Sequence, residues 1–140
     1  MTALGALPAF VSRPRRLPER WVVAAAAVIA AVAHVPVIGP HLEEAPYMGG
    51  LFIVLTAACG FLAVAALRWD SGVIYALTVL TCGLAVIGYI ATRLVAFPML
   101  SDDVGNWLEP LGVLSIASET IAVAAALLGL SRHPRGAADA

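Results

Sequence analysis

The sequence predicts an all-α, polytopic membrane protein, a bundle of four transmembrane helices. Three observations carry that prediction. Hydrophobic residues make up 61% of the 140-residue chain and charged residues only 12%, well outside the usual soluble range. Apolar runs recur along the whole length, which a soluble domain behind a secretory leader would not show. Each run is about twice as long as a membrane barrel strand requires, so helices and not strands must cross.

The first twenty residues carry Arg13, Arg15, Arg16 and Arg20 with three prolines and read as a short cytoplasmic tail. Span one covers 21–38, with the charge-free body WVVAAAAVIAAVA. At about 1.5 Å per residue it reaches about 27 Å, just enough to cross. Pro36, Gly39 and Pro40 are expected to loosen and end it, leaving a loop over 39–48. Span two covers 49–67 and closes on Arg68, Trp69 and Asp70. A tight turn at Ser71-Gly72 then makes spans two and three antiparallel neighbours. Span three covers 73–97 and stops before Pro98. A polar loop leads to span four, 110–130, where Pro110 suits the first helical turn and Glu109 suits the positive end of the helix dipole. Residues 131–140 form a second short cytoplasmic tail.

Orientation follows from arginine placement. All eight basic residues are Arg; the two tails and the 68–72 turn hold every one except Arg93. The positive-inside tendency therefore puts both termini in the cytoplasm of a cell that carries the protein in its plasma membrane. A net charge of −1 excludes a global basic field for nucleic acid. Cys59 and Cys82 sit inside separate apolar runs without a C-x-x-C pattern, so neither a disulfide framework nor a redox pair is expected.

Inward faces are predicted by small and polar residues at helical spacing, because lipid gives helices no hydrophobic reason to associate. They are Ala24, Ala27, Ala31 and His34 in span one; Thr56, Gly60 and Ala63 in span two; Thr78, Cys82, Ala85, Tyr89 and Arg93 in span three; and Gly112, Ser115, Glu119, Ala122 and Ala126 in span four. Glu119 lies about 13 Å below the outer end of its span. A charged carboxylate there costs on the order of 3 kcal/mol, so it must be protonated, paired or hydrated. Arg93 is expected to meet Glu119 or Glu109. The inner half of the bundle holds Tyr75 as its one ionisable group.

The stretch HVPVIGPHLEEAPYM, 34–48, concentrates the unusual chemistry. His34, His41, Glu43 and Glu44 are the expected ligands of a metal ion or small polar molecule, with Tyr47 and Met48 beside them. Imidazole and carboxylate suit zinc, copper or iron, and Met adds an option for copper. H-x6-H with two Glu matches no established ligand spacing. Haem is less favoured, since His34 is the one histidine within a span. Tyr89, Arg93, Glu109 and Glu119 would support the site.

The stretches HLEEAPYMGGLF and YIATRLVAFPMLSDDVGNWLEPLG resemble small four-span membrane proteins of high-GC bacteria. The likeness covers roughly 30–119. It implies four spans, singles out His34, His41, Glu44, Tyr47, Arg93, Trp107, Glu109 and Glu119, and implies no reaction. Three functions are therefore open. The first is an outward-facing His/Glu pocket for a metal or polar ligand, on an accessory subunit of a transport or respiratory assembly. The second is a small oligomeric proton-coupled transporter using Glu119. The third is a structural partner of another membrane protein. With no nucleophile–base pair and no phosphate-binding glycine loop, no catalysis is expected.

Overall fold

The computed structural model describes residues 18–133. They form four long helices: α1 (Glu19–Glu44), α2 (Pro46–Trp69), α3 (Gly72–Leu94) and α4 (Pro110–Arg132), with a short 3-10 turn at Ser101–Asp103 before α4. All four helices are long and apolar enough to cross a membrane. α1 packs against α2 and α4, and α4 against α3; the α2–α3 side of the ring is the thinnest. One end of the bundle, here the base, carries the start of α1 and the end of α4. The other end, the head, carries the α1–α2 corner and the loop before α4.

The expected loop over 39–48 does not exist. α1 runs straight through Pro36, Gly39 and Pro40 to Glu44, and α2 starts at Pro46, leaving Ala45 as the single residue between them. A proline inside a helix removes one N–H and crowds the carbonyl four residues back. A span without water must nevertheless satisfy its backbone internally, so the helix continues past its prolines. The corner itself depends on Gly49. A Cβ there would lie 2.6 Å from the Leu42 side chain and 2.7 Å from its backbone nitrogen. Only glycine lets the first turn of α2 close this tightly on the last turn of α1, and Pro46 supplies a pre-set first helical residue.

The other boundaries follow local chemistry. Asp70 ends α2 in a left-handed conformation (φ 38°), and Ser71 caps α3 by accepting from the Ile74 N–H, close to the turn expected. α3 stops at Leu94 rather than at Phe97, since Val95 is already extended. Pro98 biases the residue before it towards extended backbone, and Phe97 bridges to Leu100 instead of staying helical. Glu109 caps α4 by accepting from the N–H groups of Leu111 and Gly112, which goes beyond the dipole effect expected of it. The tails are shorter than expected: Glu19 and Arg20 belong to α1, and α4 extends through Arg132. Arg13, Arg15, Arg16 and Arg135 lie outside the described residues.

Two layers fill the interior. The lower one joins Val23, Leu62, Ala65, Ala66, Ile74, Tyr75, Ala125 and Ala126. The middle one is nearly all small: Ala24, Ala26, Ala27, Ala30, Cys59, Ala63, Cys82 and Ala122. Small side chains let helix backbones approach closely, which supplies the dispersion contact that lipid cannot compete with. Bulky residues such as Val32, Val54, Leu80, Leu84 and Leu127 point outward. The inward faces of α1, α3 and α4 match expectation at Ala24, Ala27, His34, Thr78, Cys82, Arg93, Ser115, Glu119, Ala122 and Ala126. In α2 only Ala63 does; Thr56 and Gly60 are half-buried, and Cys59, Leu62, Ala65 and Ala66 face the core.

Candidate functional site: a buried His–Ser–Glu cluster

His34 occupies the inner face of α1 in the head half of the bundle. Its Nδ1 donates to the Ala30 carbonyl at 2.6 Å. A carbonyl can only accept, so Nδ1 carries a proton and Nε2 is the free acceptor of the neutral ring. Across the α1–α4 interface, the Ser115 hydroxyl donates to Nε2 at 3.0 Å. Glu119, one turn further along α4, brings its Oε1 to 3.5 Å from the same nitrogen. Ser115 is also within hydrogen-bonding reach of the Glu119 carboxyl. Glu119 is 1% exposed and His34 4%, and Oε1 of Glu119 has no hydrogen-bond partner. The cluster therefore holds an acid, a base and a hydroxyl around one unmatched oxygen. An acid beside a neutral imidazole and a carboxylate beside an imidazolium have the same net charge, so a proton can sit on either partner.

The four expected ligands are not brought together. His41 turns its Nδ1 onto the Val37 carbonyl at 2.8 Å, and Phe52 of α2 stands against both imidazoles, with ring centroids 5.3 Å from His34 and 4.8 Å from His41. Glu43 and Glu44 are exposed. The cause is the unbroken helix. At about 100° per residue, His41 returns to the side of His34, but Glu43 falls on the opposite face. Among the described residues no group of three or more His, Cys, Asp and Glu side chains is placed to hold a metal ion.

Arg93 meets neither Glu119 nor Glu109. Its guanidinium pairs with Asp103 at 3.0 Å and lies 4.5 Å over the Tyr89 ring. The Gly105 N–H donates to the Arg93 carbonyl at 2.9 Å, which folds the acidic loop back onto the last turn of α3. Gly105 does this at φ 78°, where a side chain would be strained. The other supporting residues serve the same loop. Tyr47 donates to the Pro98 carbonyl at 2.7 Å and Tyr89 to that of Trp107 at 3.0 Å, while Glu109 is the cap of α4. Met48 is half-buried. These residues latch the head closed and do not build a ligand shell.

Sequence reasoning missed three features. The sequence puts Ser115 on one inward face with Glu119 but gives no sign of its bond to His34. Cys59 and Cys82 sit in separate apolar runs with no pairing expected, but their thiols lie in the middle layer within hydrogen-bonding reach of each other. The base, expected to hold Tyr75 alone, gathers buried Glu19, Asp70, Tyr75 and His133. Glu19 and His133 had been assigned to tails.

No family model matches the chain, and neither curated proteins nor solved structures give a match.

Proposed function

We propose that the protein works as a small proton-coupled membrane transporter, with Glu119 as the proton-binding group and His34 as its exchange partner. One observation carries this reading: a fully buried carboxyl, 3.5 Å from an imidazole nitrogen, has an oxygen with no partner. A lone carboxylate at such depth is costly, whereas one sharing a proton with an imidazole stays net neutral in either form. The unmatched oxygen and the Ser115 hydroxyl give a cation or polar group of a substrate somewhere to bind. The arginine distribution supports a plasma-membrane protein whose head faces outward and whose termini are cytoplasmic. We further read it as a lipid-embedded homo-oligomer without intrinsic catalysis or nucleic-acid partners, akin to the small four-span proteins of high-GC bacteria.

A second reading has its own support. The same cluster ties α1 to α4, so His34, Ser115 and Glu119 would equally suit a structural partner of another membrane protein. The two readings separate on proton exchange. In the purified protein reconstituted in nanodiscs, infrared difference spectra across about pH 4–10 should show one carboxyl band that titrates and is lost in Glu119→Gln. The ring nitrogens of His34 should respond over the same interval. A pair that stays fixed in one protonation state, in variants that lose only stability, would leave the structural role standing and overturn the proton-coupled one.

A further inference from the structure

The base of the bundle carries a second set of buried polar groups, which the proposed function does not use. Tyr75 of α3 is completely buried and is the largest such side chain in the described bundle. Its hydroxyl donates to a carboxylate oxygen of Asp70 at the end of α2. Its ring lies 5.7 Å from that of His133, directly after α4. It also presses so closely on Gly129 that a Cβ there would sit 2.8 Å from the ring. Glu19, in the first turn of α1, binds Arg132 through Oε1 and lies within electrostatic reach of the Tyr75 hydroxyl, as does Arg20. Every helix therefore sends an ionisable group to this one place.

Two atoms in it are left over. Oε2 of Glu19 and Nε2 of His133 are buried without any hydrogen-bond partner, on residues only 7% and 6% exposed. Buried polar atoms are nearly always satisfied, and the exceptions call for a water, an ion or a function. The described residues offer no group of three metal-ligating side chains, so a tightly bound metal is a poor fit. What an unmatched carboxylate oxygen and an unmatched imidazole nitrogen share is the ability to take a proton, directly or through water.

We propose that Glu19 and His133, arranged around Tyr75, form a second proton-binding site at the base, open to exchange on the side opposite the head. The geometry gives each neighbour a task. Arg132 from α4 holds Glu19 in place, Asp70 from α2 fixes the Tyr75 hydroxyl, and the Tyr75 ring supports the imidazole. Arg20 on α1 supplies a further cation at the rim, where it also lies 5.3 Å from the Trp21 ring. This inference stands on the base residues alone. Only its consequence, a proton site at each end of the bundle, rests on the reading of His34 and Glu119 given above.

The full chain has three histidines, so nitrogen NMR of histidine-labelled protein in nanodiscs can resolve each ring, assigned by His34→Gln and His133→Gln. Reversible titration of the His133 ring is expected. Its midpoint should move to lower pH in Glu19→Gln, which removes the charge favouring the imidazolium. Tyr75→Phe keeps the ring support and should leave His133 titrating. A second variant, Arg132→Gln, guards against misfolding and should move the midpoint the other way. An His133 ring that never changes state while His34 titrates would overturn the base site and leave the head site intact. An His133 that titrates identically in wild type, Glu19→Gln and Arg132→Gln would also overturn it, because the ring would then be independent of Glu19. If His133 responds as expected and His34 does not, the base site holds and the proton-coupled reading of the head fails.

Discussion

The His34–Glu119 contact makes an asymmetric prediction. Replacing His34 by Leu removes the acceptor of the Ser115 hydroxyl and the only imidazole near Glu119, while keeping most of the apolar bulk against Phe52. Ser115 can turn to a backbone carbonyl of its own helix at small cost. Glu119 keeps Ser115 within reach but loses the imidazole 3.5 Å from its oxygen. Its carboxyl stays buried, and a buried polar group that loses its partner costs about 1–3 kcal/mol. The expected loss for His34→Leu is therefore about 2–3 kcal/mol, above the average of roughly 0.6 kcal/mol for a polar contact between membrane helices.

Glu119→Leu should cost less, about 1 kcal/mol or below, because Ser115 still donates to Nε2 and nothing new is orphaned. The double variant should fall within about 1 kcal/mol of wild type, since an apolar pair of similar volume replaces both polar partners. The resulting coupling is about 2–3 kcal/mol. Reversible unfolding in bicelles, followed through Trp21, Trp69 and Trp107, would measure all four proteins of the cycle. If the single effects add within about 0.5 kcal/mol, or Glu119→Leu proves the more damaging, the two side chains do not interact as described.

Four further outcomes test the packing. Gly129→Ala pushes a methyl against the pinned Tyr75 ring and should destabilise by about 1–3 kcal/mol. Gly60→Ala, which meets nothing within 4 Å, should be neutral or stabilising by up to about 1 kcal/mol in the same unfolding assay. Glu109→Ala removes the cap of α4 and should cost about 1 kcal/mol, with faster hydrogen exchange at the Leu111 and Gly112 amides and unchanged exchange in mid-helix. A lipid-permeable thiol oxidant should link Cys59 to Cys82 in the folded protein, seen by mass as the loss of two hydrogens and absent in Cys59→Ser. A link that forms only after unfolding would place α2 and α3 wrongly.

Span number and most inward faces were legible in the sequence because membrane helices obey a simple rule. An unbroken apolar run of sufficient length must cross, and small or polar residues at helical spacing must turn inward. α2 escaped this rule, since its apolar residues are spread almost evenly and no stripe separates Cys59 and Ala66 from the lipid side. The expected ligand set is not brought together for a different reason. Pro36, Gly39 and Pro40 are breakers in water, and the ligand set of His34, His41, Glu43 and Glu44 assumed that they break. Within a membrane span the backbone has nowhere else to bond, and the helix carried His34 inward while turning Glu43 away. The true partner, Ser115, lies 81 residues along the chain from His34, a separation that spacing rules do not reach. At the base, Glu19 and His133 resembled solvated tail residues because both adjoin charged, proline-containing sequence. Only the convergence of the helix ends buries them.

The placement of these polar groups constrains how the two ends can communicate. Glu119 and His133 are separated by about 21 Å along α4, and the alanine layer lies between them. Alanine offers no group that can carry a proton, and a layer packed this closely leaves little room for water. The Thr78 hydroxyl, between the ends, is committed to the Ile74 carbonyl at 2.9 Å, while the buried Thr56 hydroxyl has no partner. The thiols of Cys59 and Cys82 lie within hydrogen-bonding reach of each other and within electrostatic reach of Glu119. Among the described residues no continuous chain of hydrogen-bonded side chains joins the two ends, and on the proton-coupled reading exchange between them would call for the helices to part. The α2–α3 side, held by the fewest contacts and by the paired thiols, is where parting disturbs least. The α1–α4 interface carries both the His34–Ser115 bond and the Glu19–Arg132 pair, and parting there would break both. Locking α2 to α3 by oxidising Cys59 and Cys82 should consequently stop any proton movement between head and base while leaving proton binding at each end unchanged. Transport that persists in the cross-linked protein would show that the path does not run through a parting of these two helices.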